Sequence, residues 1–75
     1  MREQIEFRIV GHIGVLSESK SGWTKEINLV SWNGNEAKID IRDWSPEHDK
    51  MSRGITLTQS EFELAVKSWK RYIKK

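Results

Sequence analysis

Cysteine is absent from the 75 residues, so neither a disulfide framework nor a thiolate metal site is available, and a reducing intracellular setting is expected. Proline occurs once, at Pro46, within a charged loop spanning 45 to 53. No apolar run reaches signal-peptide or membrane-span length, so a soluble chain without a membrane partner is expected. Enzymatic machinery is also missing. No nucleophile with a positioned base, no phosphate loop and no paired-carboxylate constellation can be found, which points away from catalysis and from any cofactor. Glu47, His48 and Asp49 are adjacent in a loop and lack the further ligands that would let them converge on one ion, so no metal is expected. His12 reads as an ordinary strand residue.

A large charge of one sign is lacking too. The formal net charge is +2, and it is unevenly placed: residues 1 to 58 hold eight Lys/Arg against nine Asp/Glu, residues 59 to 75 five against two. A polyanionic partner needs only a local cationic surface, so this balance argues weakly either way. Size is more informative. A domain this short buries only roughly 60% of the surface its unfolded chain exposes, and a lone core is marginal. With no disulfide to add, sharing a core with a second copy is the expected remedy, hence a homodimer.

What the chain does hold is four tryptophans and a clear strand pattern. Ile5 to Ser17 alternates, placing Ile5, Phe7, Ile9, Gly11, Ile13 and Val15 on one face; Gly11 and Gly14 suggest a bulge or bend. After the polar loop 17 to 22, a second strand runs from Trp23 or Thr24 to Ser31, with Ile27 and Leu29 inward. Asn33-Gly34 marks a hairpin. A three-residue loop, Trp32-Asn33-Gly34, would pair Ile27 with Ile39 and Leu29 with Ala37, keeping apolar residues on one side. In the third strand Ala37, Ile39 and Ile41 face the core, while Lys38, Asp40, Arg42 and Trp44 form a decorated outer surface. A short fourth strand covers Gly54 to Leu57. Thr58 to Glu61 then fits a helix capping box, followed to about Ile73 by Phe62, Ala65, Val66, Trp69, Tyr72 and Ile73 at helical spacing. The whole chain is one domain of α+β class, a four-stranded antiparallel sheet followed by one C-terminal helix.

This order of elements, carrying Ile39-Asp40-Ile41-Arg42-Asp43-Trp44 and Arg53-Gly54-Ile55-Thr56-Leu57, resembles the positive cofactor four family of transcriptional coactivators, and most of all its compact bacterial-type members. The resemblance covers about residues 7 to 73. It implies a curved sheet with the helix on its convex side, dimerisation through the helices, and single-stranded DNA held on the concave face by aromatic stacking and basic side chains. By position it assigns nucleic-acid contact to Trp32, Arg42, Trp44 and Arg53, with Lys38 and Lys20 as further basic positions. In two respects the chain departs from the eukaryotic pattern. Asn33 and Asn35 stand where basic residues flank the hairpin glycine, and the loop after Trp44 is shorter. The sequence also holds no acidic, Ser-rich regulatory extension, so coactivator regulation is not carried over.

The residues themselves leave alternatives. Trp32 and Trp44 either stack bases, cover the sheet or sit in the dimer core, and Trp23, beside the first loop, divides between base contact and local packing. Arg42, Arg53 and Lys38 either engage the strand or are solvated sheet charges with Asp40 and Asp43 as partners, while Arg8 and Lys25 read as solvated charges. Phe62, Val66, Trp69 and Ile73 form the core or the dimer interface. The expectation is a cytoplasmic, nucleoid-associated homodimer that binds single-stranded DNA with little sequence preference in transcription, replication or repair, alongside other proteins of those processes. Single-stranded RNA binding, or protein docking on the Trp-bearing face, are the alternatives.

Overall fold

The computed structural model describes residues 6–74. Four strands, β1 (Phe7–Glu18), β2 (Thr24–Trp32), β3 (Lys38–Trp44) and β4 (Ile55–Leu57), precede a single helix, α1 (Gln59–Ile73). The strands form one antiparallel sheet in the order β1-β2-β3-β4, each hydrogen-bonded to its sequence neighbour. The α+β architecture is the one expected. Among the described residues no helix is long and apolar enough to cross a membrane.

Simple alternation fails in β1. Its register against β2 slips three times, between Ile9 and Gly11, His12 and Gly14, and Val15 and Ser17. Each slip inserts one extra residue, and those residues are Val10, Ile13 and Leu16, all exposed. Phe7, Ile9, His12, Val15 and Glu18 therefore share a face, since they pair with Trp32, Val30, Asn28, Glu26 and Thr24, alternate residues of β2. The expected face containing Gly11 and Ile13 with Phe7 is overturned. Gly11 and Gly14 lie together on the opposite side, where an added Cβ would meet Leu29 and Ile27. The irregularity itself was foreshadowed by the two glycines.

The β2–β3 register also differs from expectation. Ile27 pairs with Ile41 and Leu29 with Ile39, two residues further along than the three-residue loop would give. Asn33 and Gly34 do form the turn, both with positive φ (53° and 76°) and with the Asn35 amide bonded to the Trp32 carbonyl at 2.9 Å. However, residues 35 to 37 stay outside the ladder, tied by the Ser31 hydroxyl donating to the Asn35 carbonyl at 2.6 Å. A shift of two preserves the faces, so the apolar set Ile27, Leu29, Ile39, Ile41, Ile55 and Leu57 stays together.

The sheet is strongly curled. Trp44 pairs with Thr24, eight residues from Trp32 along β2, which on a flat sheet would separate the two indoles by roughly 25 Å. Both rings instead touch Phe7, with centroids 5.7 Å (Trp32) and 5.4 Å (Trp44) away. Curling encloses the inner face, so that Val30, Asn28, Asp40 and Trp44 have no exposed surface.

The helix begins where the sequence says. Thr58 caps it, accepting from the Glu61 amide while the Glu61 carboxylate accepts from the Thr58 amide. It touches only β3 and β4, and none of its residues is buried; Phe62 and Val66 are half-buried. Trp69 and Tyr72, 61% and 68% exposed, stack on each other at 6.1 Å. Past β3, Gly54 passes so close that a Cβ there would lie 2.4 Å from both the Arg42 Cβ and the Ile41 carbonyl oxygen. Only glycine fits that crossing.

Candidate nucleic-acid interface

Period-two geometry puts Thr24, Glu26, Asn28, Val30 and Trp32 of β2 on the inner face, with Lys38, Asp40, Arg42 and Trp44 of β3 and Thr56 of β4 beside them. At its centre Arg42 is held by Asp40 through two parallel bonds, Nε to Oδ2 at 2.6 Å and Nη2 to Oδ1 at 2.7 Å. Thr56 adds a third bond to Asp40 at 3.0 Å. The Arg42 Nη1 also donates to the Ser52 carbonyl at 3.3 Å, fixing the segment that leads into β4. With its fork so committed, Arg42 lays its guanidinium over the Trp32 ring, 4.8 Å from the centroid. The pair with Asp40 is present, but it is buried rather than the solvated surface contact the sequence allowed for.

The aromatic residues divide by exposure. Trp44 is enclosed between Phe7 and His48, whose ring stacks on it at 5.7 Å and 23°. A base cannot reach its face while this packing holds. Trp32 is half-buried, and Phe7, 39% exposed, is the most open aromatic of the cluster. Among the described residues neither the Trp32 nor the Trp44 indole N–H has an acceptor, although both are buried. An unmade bond of that kind costs about 1 to 3 kcal/mol.

Around this cluster the cations are peripheral. Arg53 is exposed immediately before Gly54, and Lys38 is exposed at the start of β3. Lys20 is exposed in the β1–β2 loop, and Trp23 is half-buried just before β2, its carbonyl accepting from the Ser19 amide at 2.8 Å. These two stand at the Thr24 end of β2, away from the Trp32 end. On the outer face Lys25 pairs with Asp43 at 3.2 Å, a solvated contact as expected. Of the helix residues assigned to self-association, Trp69 and Ile73 are exposed and Phe62 and Val66 half-buried.

A second polar cluster is one that sequence reasoning missed. Glu26, 3% exposed, accepts from the Thr24 hydroxyl (2.5 Å), the His48 Nε2 (2.8 Å) and the Asn28 amide (3.3 Å). His12 donates from Nδ1 to the Asn28 carbonyl oxygen at 2.6 Å and lies 3.7 Å from Glu26. Burial raises the Glu26 pKa, but the bonds from Thr24, Asn28 and His48, together with His48 charge, outweigh it and hold the carboxyl below its ordinary value. His48 arrives there because its loop is tied around Ser45, whose amide donates to the Lys50 carbonyl (3.0 Å) and whose carbonyl accepts from the His48 amide (2.9 Å). It takes a left-handed φ of 60°, uncommon outside glycine. The alternation of Thr24, Glu26 and Asn28 was visible in the sequence; the slips that turn His12 toward them were not.

Comparison with known proteins agrees with this architecture. The family model of the transcriptional coactivator p15 (PC4) matches residues 19–68, from the β1–β2 loop into α1. The chain is also 41% identical over 61 residues to an uncharacterised protein of Treponema pallidum (strain Nichols), an alignment that covers 81% of this chain and 72% of the relative. A curled four-strand sheet with a capped C-terminal helix, together with a match over two thirds of its length, makes this chain a member of the transcriptional coactivator p15 (PC4) family.

Proposed function

We propose that the protein binds single-stranded DNA with little sequence preference, as a homodimer, on the curled face of its sheet. Its family is one of non-enzymatic proteins known for single-stranded DNA binding and coactivation. The observation that supports the reading best is the cluster of Phe7, Trp32 and Arg42, two aromatic rings tilted 46° to each other, with Trp32 backed by a cation that is itself anchored to a buried acid. Bases stack on such rings regardless of identity, for about 1 to 3 kcal/mol each. Trp32 and Phe7 form the platform in this mechanism, and Trp44 backs it from beneath. Arg53 and Lys38 engage phosphates from the rim, with Lys20 and Trp23 extending the track at the far end.

Self-association rests on exposed apolar surface. Trp69, Tyr72 and Ile73 of the helix, together with Ile55 of β4, are bare in one copy, which is more than scattered surface residues account for. A second copy would cover that stripe and provide the core that so short a chain lacks. Its setting would be transcription, replication or repair in the cytoplasm.

Fluorescence titration with oligo-dT, matched duplex and matched RNA at two salt concentrations tests the reading. The single DNA strand is expected to bind tightest. Trp32→Ala should weaken it about five- to a hundredfold, the range for one stacked base. Arg53→Ala should lower the salt slope by about one. Absence of oligo-dT binding at low salt would refute the proposal.

A further inference from the structure

Beside Trp44 the inner face opens into a hollow of about 420 Å³, lined by Ile9, His12, Val15, Glu26, Asn28 and His48. Its walls are two aliphatic side chains and two imidazoles; its floor is a carboxylate and a carboxamide. All six reach it from different parts of the chain, three from the bulged β1, two from β2 and one from the loop after β3.

What the hollow accepts follows from which bonds are already made. The Asn28 carbonyl oxygen is taken by His12 and its amide by Glu26. One oxygen of Glu26, Oε2, is filled by Thr24 and His48, whereas Oε1 receives the long 3.3 Å bond from Asn28 and has the His12 Nδ1 3.7 Å away, beyond hydrogen-bond reach. The unfilled capacity is therefore that of an acceptor. His12 is already engaged through Nδ1, which leaves Nε2 as its remaining polar atom. The donors of His48, His12 and Asn28 are already engaged, so the hollow offers a phosphate little to bond, and the backbone of a bound strand is disfavoured here. A flat heterocycle that donates an N–H is favoured, because aliphatic and imidazole walls suit its faces and Glu26 suits its edge.

We propose that this hollow is a nucleobase subsite, in which an N–H on the Watson–Crick edge of a base donates to Glu26 while its ring lies against Ile9, Val15 and the two imidazoles. The assignment rests on the single-stranded DNA reading and deepens it. The Trp32 platform takes bases by stacking alone; the Glu26 hollow takes one by its edge. The acidic floor also orients the strand, bases inward and phosphates toward the rim cations, and it excludes a duplex, whose Watson–Crick edges are already paired.

The test uses the full chain with oligo-dT and the same oligonucleotide built from N3-methylthymine, which keeps the ring and loses the N–H. Wild type should bind the methylated strand about tenfold or more weakly, as expected for one hydrogen bond to a charged group. Glu26→Gln, a change of shape by almost nothing, should shrink that ratio. The imidazole NMR signals of His12 and His48 should move on adding oligo-dT and stay in place with the methylated strand. Equal affinity for the two strands, with oligo-dT still bound, would overturn the subsite and leave the stacking platform standing. Failure to bind either strand would overturn both.

Discussion

The inner face of the sheet and the helix invert the usual relation between polarity and burial. The inner face holds Glu26, Asn28 and Asp40, all buried, and Arg42, half-buried, whereas the helix holds Trp69, Tyr72 and Ile73, all exposed, and buries none of its residues. Polar groups tolerate burial when their bonds are made, and here the carboxylates are met by Arg42, Thr56, Thr24, Asn28 and His48. The face closes because the sheet curls and three aromatic rings meet across it. The single chain is thus organised by its curled inner face, and its helix is left largely exposed.

The largest test of this contrast is Trp44→Ala. Removing a fully enclosed indole should cost about 3 to 5 kcal/mol, most of what so small a domain can have, and thermal unfolding should show it. A stability loss below 1 kcal/mol would mean that the inner face does not hold the fold together. Trp69→Ala is the opposite case. It should shift the chain toward monomer in sedimentation at micromolar concentration, yet leave the unfolding of dilute chain within about 0.5 kcal/mol of wild type, since it removes only exposed surface. A dimer indifferent to this change would assign self-association to another surface.

The smallest expected effect is on pH dependence. A carboxyl whose folded pKa lies below its unfolded value, near 4.5, stabilises the protein fully above that value and loses its contribution as pH falls through the folded pKa. Acid denaturation of wild type should therefore include a component that Glu26→Gln removes, while at neutral pH the variant is the less stable. Identical acid limbs would show that the Thr24, Asn28 and His48 bonds do not favour the ionised form.

How much of this was legible depended on whether the determinants were local. Thr58 and Glu61 declared the helix start because a capping box is four consecutive residues. Asn33-Gly34 declared the turn, but not that residues 35 to 37 would stay unpaired, since that depends on the Ser31 bond back to Asn35. Alternation put Arg42 and Trp44 on the same face, correctly, and said nothing of curvature. Side is a property of the strand, whereas exposure is a property of the sheet. Alternation therefore left Trp44 divided between an open platform and a packed ring, and it is enclosed, while Phe7, read only as a strand residue, emerges as the more open ring. His12, Glu26 and His48 were invisible as a group because three register slips and a left-handed loop residue bring them together.

Those slips also bear on solubility. β1 is an edge strand of twelve residues, and Val10, Ile13 and Leu16 stand exposed along it. A regular strand of that length and character would offer a continuous row of unpaired amides and carbonyls to any other chain. A bulge every third residue breaks the row into pieces too short to template a new strand. The edge is apolar, yet it is a poor template for a further strand.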